Sequence, residues 1–256
     1  MLFLLRLSSM NIRKVVSRLL TAGVLSAGIS CSISSPASVV IAGTRVVYNA
    51  ADSEVTLKLS NVGKHPALTQ VWLDKGDAKE DPAKIDLPFM LTPALARIDP
   101  AKSQTVRISY TGEALPKNRE SVLWFNLLEV PPKPEQAEAG TNYMQLAFRS
   151  RIKFFFRPTG LPGTADAAPD KLLWKLTTEN GKSALKVSNP TPYHVTITEA
   201  RVGTGDKAPR FDEGGMVTPG GELLLPLSGA ALEDGKVSFT TLNDYGGAMQ
   251  HEAHLH

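Results

Sequence analysis

The residues best placed to do chemistry lie in one stretch, YMQLAFRSRIKFFFR (143–157). Its even positions read Met144, Leu146, Phe148, Ser150, Ile152, Phe154 and Phe156, and its odd positions include Gln145, Arg149, Arg151, Lys153 and Arg157. Side chains of an extended strand alternate between faces, so one face is apolar over nearly its whole length while the other carries four cations. The cations can hold an anion, and the apolar row needs burial. Two uses remain open: a central strand whose apolar face is core, or an edge strand left free for a partner, since a long apolar edge is otherwise an aggregation hazard. At about 3.3 Å per residue the run would reach ~50 Å, far beyond the usual ~5–6 residues, and would overhang its own sheet.

Catalytic chemistry is much harder to assemble. No G-x-S-x-G elbow, P-loop or H-E-x-x-H pair occurs, and GTGDK (203–207) has the wrong spacing for a phosphate loop and reads as a turn. His65 and His194 stand alone in turn or strand contexts, as structural histidines do. His251, His254 and His256 gather near the C-terminus and could chelate a transition metal, but a disordered tail is the simpler reading. Trp72, Trp124 and Trp174 sit inside strand patterns, where core packing is expected. The single cysteine, Cys31, leaves no intrachain disulfide and no Cys-ligated metal site. The expectation is a protein that is not an enzyme and needs neither cofactor nor metal.

The elements that must position the 143–157 strand are also β. SVVIAGTRVVY (38–48), EVTLKLSN (54–61), ALTQVWLD (67–74), QTVRISY (104–110) and SVLWFNLLEV (121–130) precede it, separated by Gly, Pro, Asn and Asp clusters. Pro158, Gly160, Pro162, Gly163 and TADAAPD then mark a boundary. Beyond it LLWKLT (172–177), ALKVSN (184–189), YHVTITEA (193–200), ELLLPL (222–227) and KVSFTTL (236–242) repeat the short-strand style. This spacing predicts an all-β chain of two immunoglobulin-like sandwiches, 38–158 and 159–256.

Residues 1–37 differ from the rest. They hold Arg6, Arg13, Lys14 and Arg18 and no acid; without those four, 24 bases face 25 acids. The basic excess therefore belongs to this segment, and no polycationic surface for nucleic acid remains. A basic opening, an apolar run from Leu19 to Ile29, and Ser35 and Ala37 have the order of a secretory signal cut after Ala37, with Met10 as an alternative start. Lipid attachment at Cys31 is a rival, although Gly28 stands where an apolar residue is usual. The apolar run is too short for a ~20-residue span. Export to the periplasm as a soluble protein is the expectation.

Five segments, GTRVVYNAADSEVTLKLSN (43–61), RESVLWFNLLEVPP (119–132), RIKFFFRP (151–158), VSNPTPYHVT (187–196) and LNDYGG (242–247), occur in the order seen in one family. Through them the mature chain, from about Thr44 to Gly247, resembles the periplasmic chaperones of the chaperone–usher pilus pathway. The resemblance implies two sandwiches set at an angle with a cleft between them. It implies that Arg45 of GTRVVY and Lys153 of RIKFFFRP anchor the C-terminal carboxylate of a pilus subunit. It also implies that Met144, Leu146 and Phe148 are lent to the subunit's open groove as a missing strand, and that Glu120, Arg157 and Asp244 form an ionic cluster joining the domains. Thr92-Pro93 matches a Thr-Pro-Pro segment that covers the binding surface and takes part in interaction with the outer-membrane usher, with Ala94 in place of the second Pro.

The open apolar edge leaves self-association of the free protein open, and the short to intermediate loop PPKPEQAEAGTNY mildly favours the branch serving rod-like pili. AMQHEAHLH, after Gly247, lacks the apolar alternation of a closing strand, so the last strand is expected to be short or frayed. The alternative from another class is a secreted structural or adhesive β-sandwich protein. A pilus subunit would itself be short one strand and carry an apolar N-terminal extension.

Overall fold

In the computed structural model, which describes residues 38–112, 115–132, 146–205, 208–229 and 235–256, the first β run breaks at Gly43. Its φ of 122° is one that residues with a Cβ rarely adopt. The break lets the chain change sheets: β1 (Val39–Ile41) pairs antiparallel with β3 (Val55–Asn61), while β2 (Arg45–Asn49) crosses to the opposite layer. The expected single strand 38–48 is therefore two strands with different partners.

The first sandwich continues with β4 (Ala67–Asp74), β5 (Phe89–Thr92), β6 (Leu95–Ile98), β7 (Ser103–Tyr110), β8 (Ser121–Val130) and β9 (Phe148–Arg157). One sheet has the order β1-β3-β7-β5 and the other β2-β9-β8-β4-β6. Between them lie Leu57, Leu59, Val106 and Ile108 from the first sheet and Phe125, Leu127, Phe154 and Phe156 from the second. Tyr48, Phe89, Tyr110, Phe154 and Phe156 form a ring cluster with edge-on and tilted contacts, which fastens the C-terminal half of β9 to both layers.

β9 pairs with β8 along nearly its full length, from Phe148↔Glu129 to Phe156↔Ser121. With β2 it pairs in parallel only from Lys153 to Arg157. The two halves of the strand therefore differ in pairing. Its C-terminal half is central and its even side chains are core. Its N-terminal half, Phe148–Ile152, is hydrogen-bonded on one side alone among the described residues. Leu146 precedes the ladder and is 53% exposed. Met144 lies outside the described residues, as do Met10, Cys31 and the rest of the leader.

The second sandwich has β10 (Leu173–Glu179), β11 (Lys182–Ser188), β12 (Val195–Val202), β13 (Arg210–Phe211), β14 (Gly215–Val217), β15 (Glu222–Pro226), β16 (Lys236–Leu242) and β17 (Ala248–His254). Its sheets are β10-β11-β15 and β13-β12-β16-β17, with β14 also on β12. Asn180-Gly181, both at positive φ, turns β10 into β11 as a tight hairpin. Fully buried Trp174 packs on Phe239 at 4.7 Å within a core of its own.

Two expectations need correction. The C-terminus is neither frayed nor a disordered tail: β17 pairs with β16 over seven residues, from Ala248 to His254. An edge strand needs burial on one face only, and there His251 does the work of a hydrophobe, stacking flat on Phe239 at 5.1 Å. The three tail histidines also separate, because strand alternation turns His251 inward and leaves His254 and His256 exposed.

The second correction concerns the tryptophans: Trp174 is core, but Trp72 and Trp124 lie on the outer face of β4 and β8. The Arg149 guanidinium covers Trp72 at 4.8 Å and that of Arg151 covers Trp124 at 4.3 Å. Both arginines also reach Asp74, whose side chain is fully buried and is joined by the Asn126 amide at 2.8 Å. Two of the four odd-face cations are therefore structural.

Burial opposes the Asp74 charge, but hydrogen bonds from Arg151, Asn126 and the Gly76 amide outweigh it and hold its pKa below the ordinary value. Asp74→Asn is expected to cost about 2–3 kcal/mol of stability at pH 7, measured by urea unfolding. A carboxylate with a lowered native pKa stabilises above its unfolded pKa of ~3.9 and stops doing so as pH falls through the native value. The gap between wild type and variant should accordingly narrow below about pH 4.

Candidate functional site

Lys153 and Arg45 are direct partners in the parallel β2–β9 ladder, so their side chains emerge side by side on the same face. That face meets the second sandwich. Arg45 Nη1 donates to the Leu242 carbonyl at 3.3 Å, and Lys153 Nζ donates to Thr196 Oγ1 at 3.5 Å. Neither cation has a carboxylate within ion-pair distance among the described residues, and the Arg45 Nε is buried without a hydrogen-bond partner.

The charges carry the mark of this arrangement. Desolvation lowers the Arg45 pKa, with Asp244 and Glu120 pulling the other way from a distance. Desolvation lowers that of Lys153 too, and the neighbouring Arg45 charge adds to it. Two like charges are held together, partly stripped of water, and their hydrogen-bond partners among the described residues are neutral. An incoming carboxylate would relieve both: a guanidinium offers two parallel donors and an ammonium a point charge.

Beside the pair, Arg157 ends β9 with its fork fully used. Nε and Nη2 donate to Glu120 Oε1 at 2.9 and 2.8 Å, and Nη1 and Nη2 donate to Asp244 Oδ2 and Oδ1 at 2.6 and 2.9 Å. Burial works against this charge, but the hydrogen bonds and charges of Asp244 and Glu120 overcome it and raise the guanidinium pKa. The structure brings Glu120, Arg157 and Asp244 into one network across the two sandwiches. Sequence reading missed its fourth member. His194 gives Glu120 Oε2 its backbone N–H at 2.9 Å and its ring Nδ1 at 3.0 Å, and its ring lies 5.6 Å from that of Phe155. The available signal was Phe155, the one apolar residue among the late odd positions of β9, which marks the point where that face becomes buried.

Arg45, Phe155, Arg157, His194, Thr241 and Tyr245 line a cleft of about 220 Å³. A larger concavity of about 510 Å³ on the second sandwich, around Glu199, Arg210 and Glu252, includes His251 from the tail histidines but none of the residues that the family resemblance singles out. Leu146 and Phe148 lie up the strand from Lys153, at the open edge. Thr92 and Pro93 sit apart from the cleft lining, where the chain crosses from β5 to β6, and are joined by a cis peptide bond.

Comparison with known proteins agrees with this architecture. The family model described as pili and flagellar-assembly chaperone, PapD N-terminal domain, matches residues 38–162, and that of pili assembly chaperone PapD, C-terminal domain, matches 167–253. The chain is 42% identical over 228 residues to the probable fimbrial chaperone YadV of Escherichia coli K12, covering 88% of this chain and 92% of that one. It is 43% identical over 225 residues to the chaperone protein FimB/FhaD of Bordetella pertussis, covering 85% and 88%. The crystal structure of YadV superposes with a TM-score of 0.73 at 39% identity, over 86% of this chain and all of the other. A chain in the complex of the Salmonella enterica SafA pilin with the SafB chaperone superposes with a TM-score of 0.71 at 30% identity, over 86% and 97%.

The Arg157 network generates a stability prediction. Glu120, with its side chain only 2% exposed, would be left buried in an Arg157→Ala variant, with His194 as its only side-chain partner among the described residues. A loss of about 3–5 kcal/mol is expected. Calorimetry should resolve separate melting of the two sandwiches in the variant, while Arg157→Lys, which keeps the charge but not the fork, should fall between it and wild type.

Proposed function

This chain belongs to the pilus-assembly chaperones, and from that premise we propose that it captures pilus subunits in the periplasm by lending them the β9 edge. The subunit's C-terminal carboxylate is received by Arg45 and Lys153, and the subunit is then delivered to an outer-membrane usher. The observation that carries the reading is a cation pair on the neighbouring strands β2 and β9, without counter-charge among the described residues, with the one-sided edge of β9 just upstream.

The energetics suit reversible capture. Each charge-assisted bond to a carboxylate contributes about 1.5–3 kcal/mol, and the anchor sets the register in which an extended subunit segment adds to β9. Met144, Leu146 and Phe148 then enter the subunit's groove with the period of two that strand addition requires. Burial of each contributes about 1.5–3 kcal/mol before ordering costs. Thr92-Pro93 serves the usher or the covering of the free edge, and the leader exports the chain and is removed after Ala37. The free chaperone, with its apolar edge uncovered, self-associates.

Lys153 holds a charge that folding makes harder to keep, since its native pKa lies below the unfolded one. Removing that charge should cost the fold nothing at neutral pH. Lys153→Met is expected to melt at or above the wild-type temperature yet fail to co-purify with a subunit from a periplasmic extract, and Arg45→Ala should fail likewise. Normal subunit recovery with either variant would refute the anchor.

Leu146→Glu tests the lent strand. As a dilute monomer it should unfold within about 0.5 kcal/mol of wild type, because the position is exposed. Complex formation should nevertheless be lost. A large drop in monomer stability would place Leu146 in the core and count against donation.

A further inference from the structure

Glu129 stands where the strand pattern calls for a hydrophobe. The inward positions of β8 run Leu123, Phe125, Leu127 and Glu129, and the glutamate is as hidden as they are, at 3% exposure. Among the described residues no Lys, Arg or His pairs with it. A buried carboxylate without counter-charge is costly, so its remaining partners matter. Those among the described residues all come from the start of the described chain. Ser38 N lies 3.1 Å from Oε1 and 2.9 Å from Oε2, Val39 N donates to Oε2 at 2.9 Å, and Ser38 Oγ donates to Oε1.

That end of the chain is firmly seated. The Val62 amide donates to the Ser38 carbonyl at 2.8 Å, and Val39 is registered against Asn61. A Cβ at Gly63 would come within 2.5 Å of Ser38 Cβ, so Ser38 can sit this close only because position 63 is glycine.

The Ser38 nitrogen is the decisive atom. A peptide N–H has one hydrogen and aligns well with one acceptor, yet two carboxylate oxygens lie within 3.1 Å of this nitrogen. An ammonium has three hydrogens and a full positive charge, and would serve both oxygens at once. We propose that Glu129 is a built-in binding site for the α-ammonium of Ser38, created when the Ala37–Ser38 bond is hydrolysed. One water is consumed; Ala37 keeps the new carboxylate on the leader, and Ser38 keeps an amine that takes up a proton at neutral pH, its ordinary pKa being ~7.7–8.0. A leader peptidase of the export route supplies the cleavage. The cut converts an uncompensated buried carboxylate into a hydrogen-bonded ion pair that ties β1 to β8 across the sandwich. Processing thereby selects the mature chain for full stability. The inference rests on the export reading, but not on subunit capture.

The test is a double-mutant cycle on the whole mature protein. Mass spectrometry first reads the N-terminus of periplasmic material, where Ser38 is expected; any other residue would overturn the proposal while leaving capture assays unaffected. Urea unfolding is then compared for four proteins: the chain beginning at Ser38, the same chain extended by Pro36 and Ala37, and Glu129→Gln in each. Glu129→Gln should raise the unfolding constant about tenfold more in the Ser38 form than in the extended form. Equal effects would refute the ion pair.

Should Glu129→Gln fail to fold, amine reactivity decides on the unmutated protein. Carbamylation of the Ser38 amine by cyanate should be at least about tenfold slower than in a free peptide beginning Ser-Val-Val-Ile, because an ammonium held by a buried carboxylate is slow to offer a free lone pair. Equal rates would count against the site.

Discussion

The short parallel ladder between β2 and β9 is the constraint on which the rest depends. It lasts five residues, from Arg45↔Lys153 to Asn49↔Arg157, because β2 is itself short and begins only after the turn at Gly43. Had the first strand stayed in the sheet of β3, β9 would be an edge along its whole length. Had β2 been longer, the edge at Phe148–Ile152 would be covered. The ladder's start puts two cations side by side, and its end delivers Arg157 to the second sandwich. One stretch of backbone pairing thus sets the edge, the cation pair and the link between the halves.

The charged groups divide by whether the fold compensates them. Asp74 and Arg157 are deeply placed, yet each has a full set of opposite charges and hydrogen bonds, and each is held more firmly in its charged form than in water. Arg45 and Lys153 show the reverse: burial weakens their hold on a proton, and none of the described residues supplies an adjacent carboxylate. Compensated charges stiffen a structure, because removing one partner strands the other. Uncompensated ones are poised for a ligand, because binding returns what folding withheld. β9 carries one of each kind, Lys153 and Arg157, four residues apart.

The odd face of β9 illustrates why a row of cations is not one functional unit. Arg149 and Arg151 lie over the tryptophans of β4 and β8 and share a buried aspartate, so their charge is spent within the sheet. Lys153 stands opposite Trp124 in the β8 register, but Arg45 lies on its other side and Thr196 in front. Phe155 breaks the row where the second sandwich covers it. Sequence alternation assigned these residues to a face; their neighbours on adjacent strands assigned their work.

What the sequence alone determined follows from local rules. Period-two alternation and turn residues were enough for an all-β chain of two sandwiches, and family motifs were enough to single out Arg45, Lys153, Glu120, Arg157 and Asp244. Register and burial were decided only by the tertiary structure. Alternation along SVVIAGTRVVY is unchanged by a switch of sheets at Gly43. The ending AMQHEAHLH lacks apolar alternation and still forms a strand, because a histidine ring on Phe239 can replace an apolar side chain at an edge. His194 joins Glu120 across 74 positions of chain, and Glu129 meets Ser38 across 91. Such contacts arise when sheets pack face to face, and one-dimensional spacing has no term for which residues then become opposite.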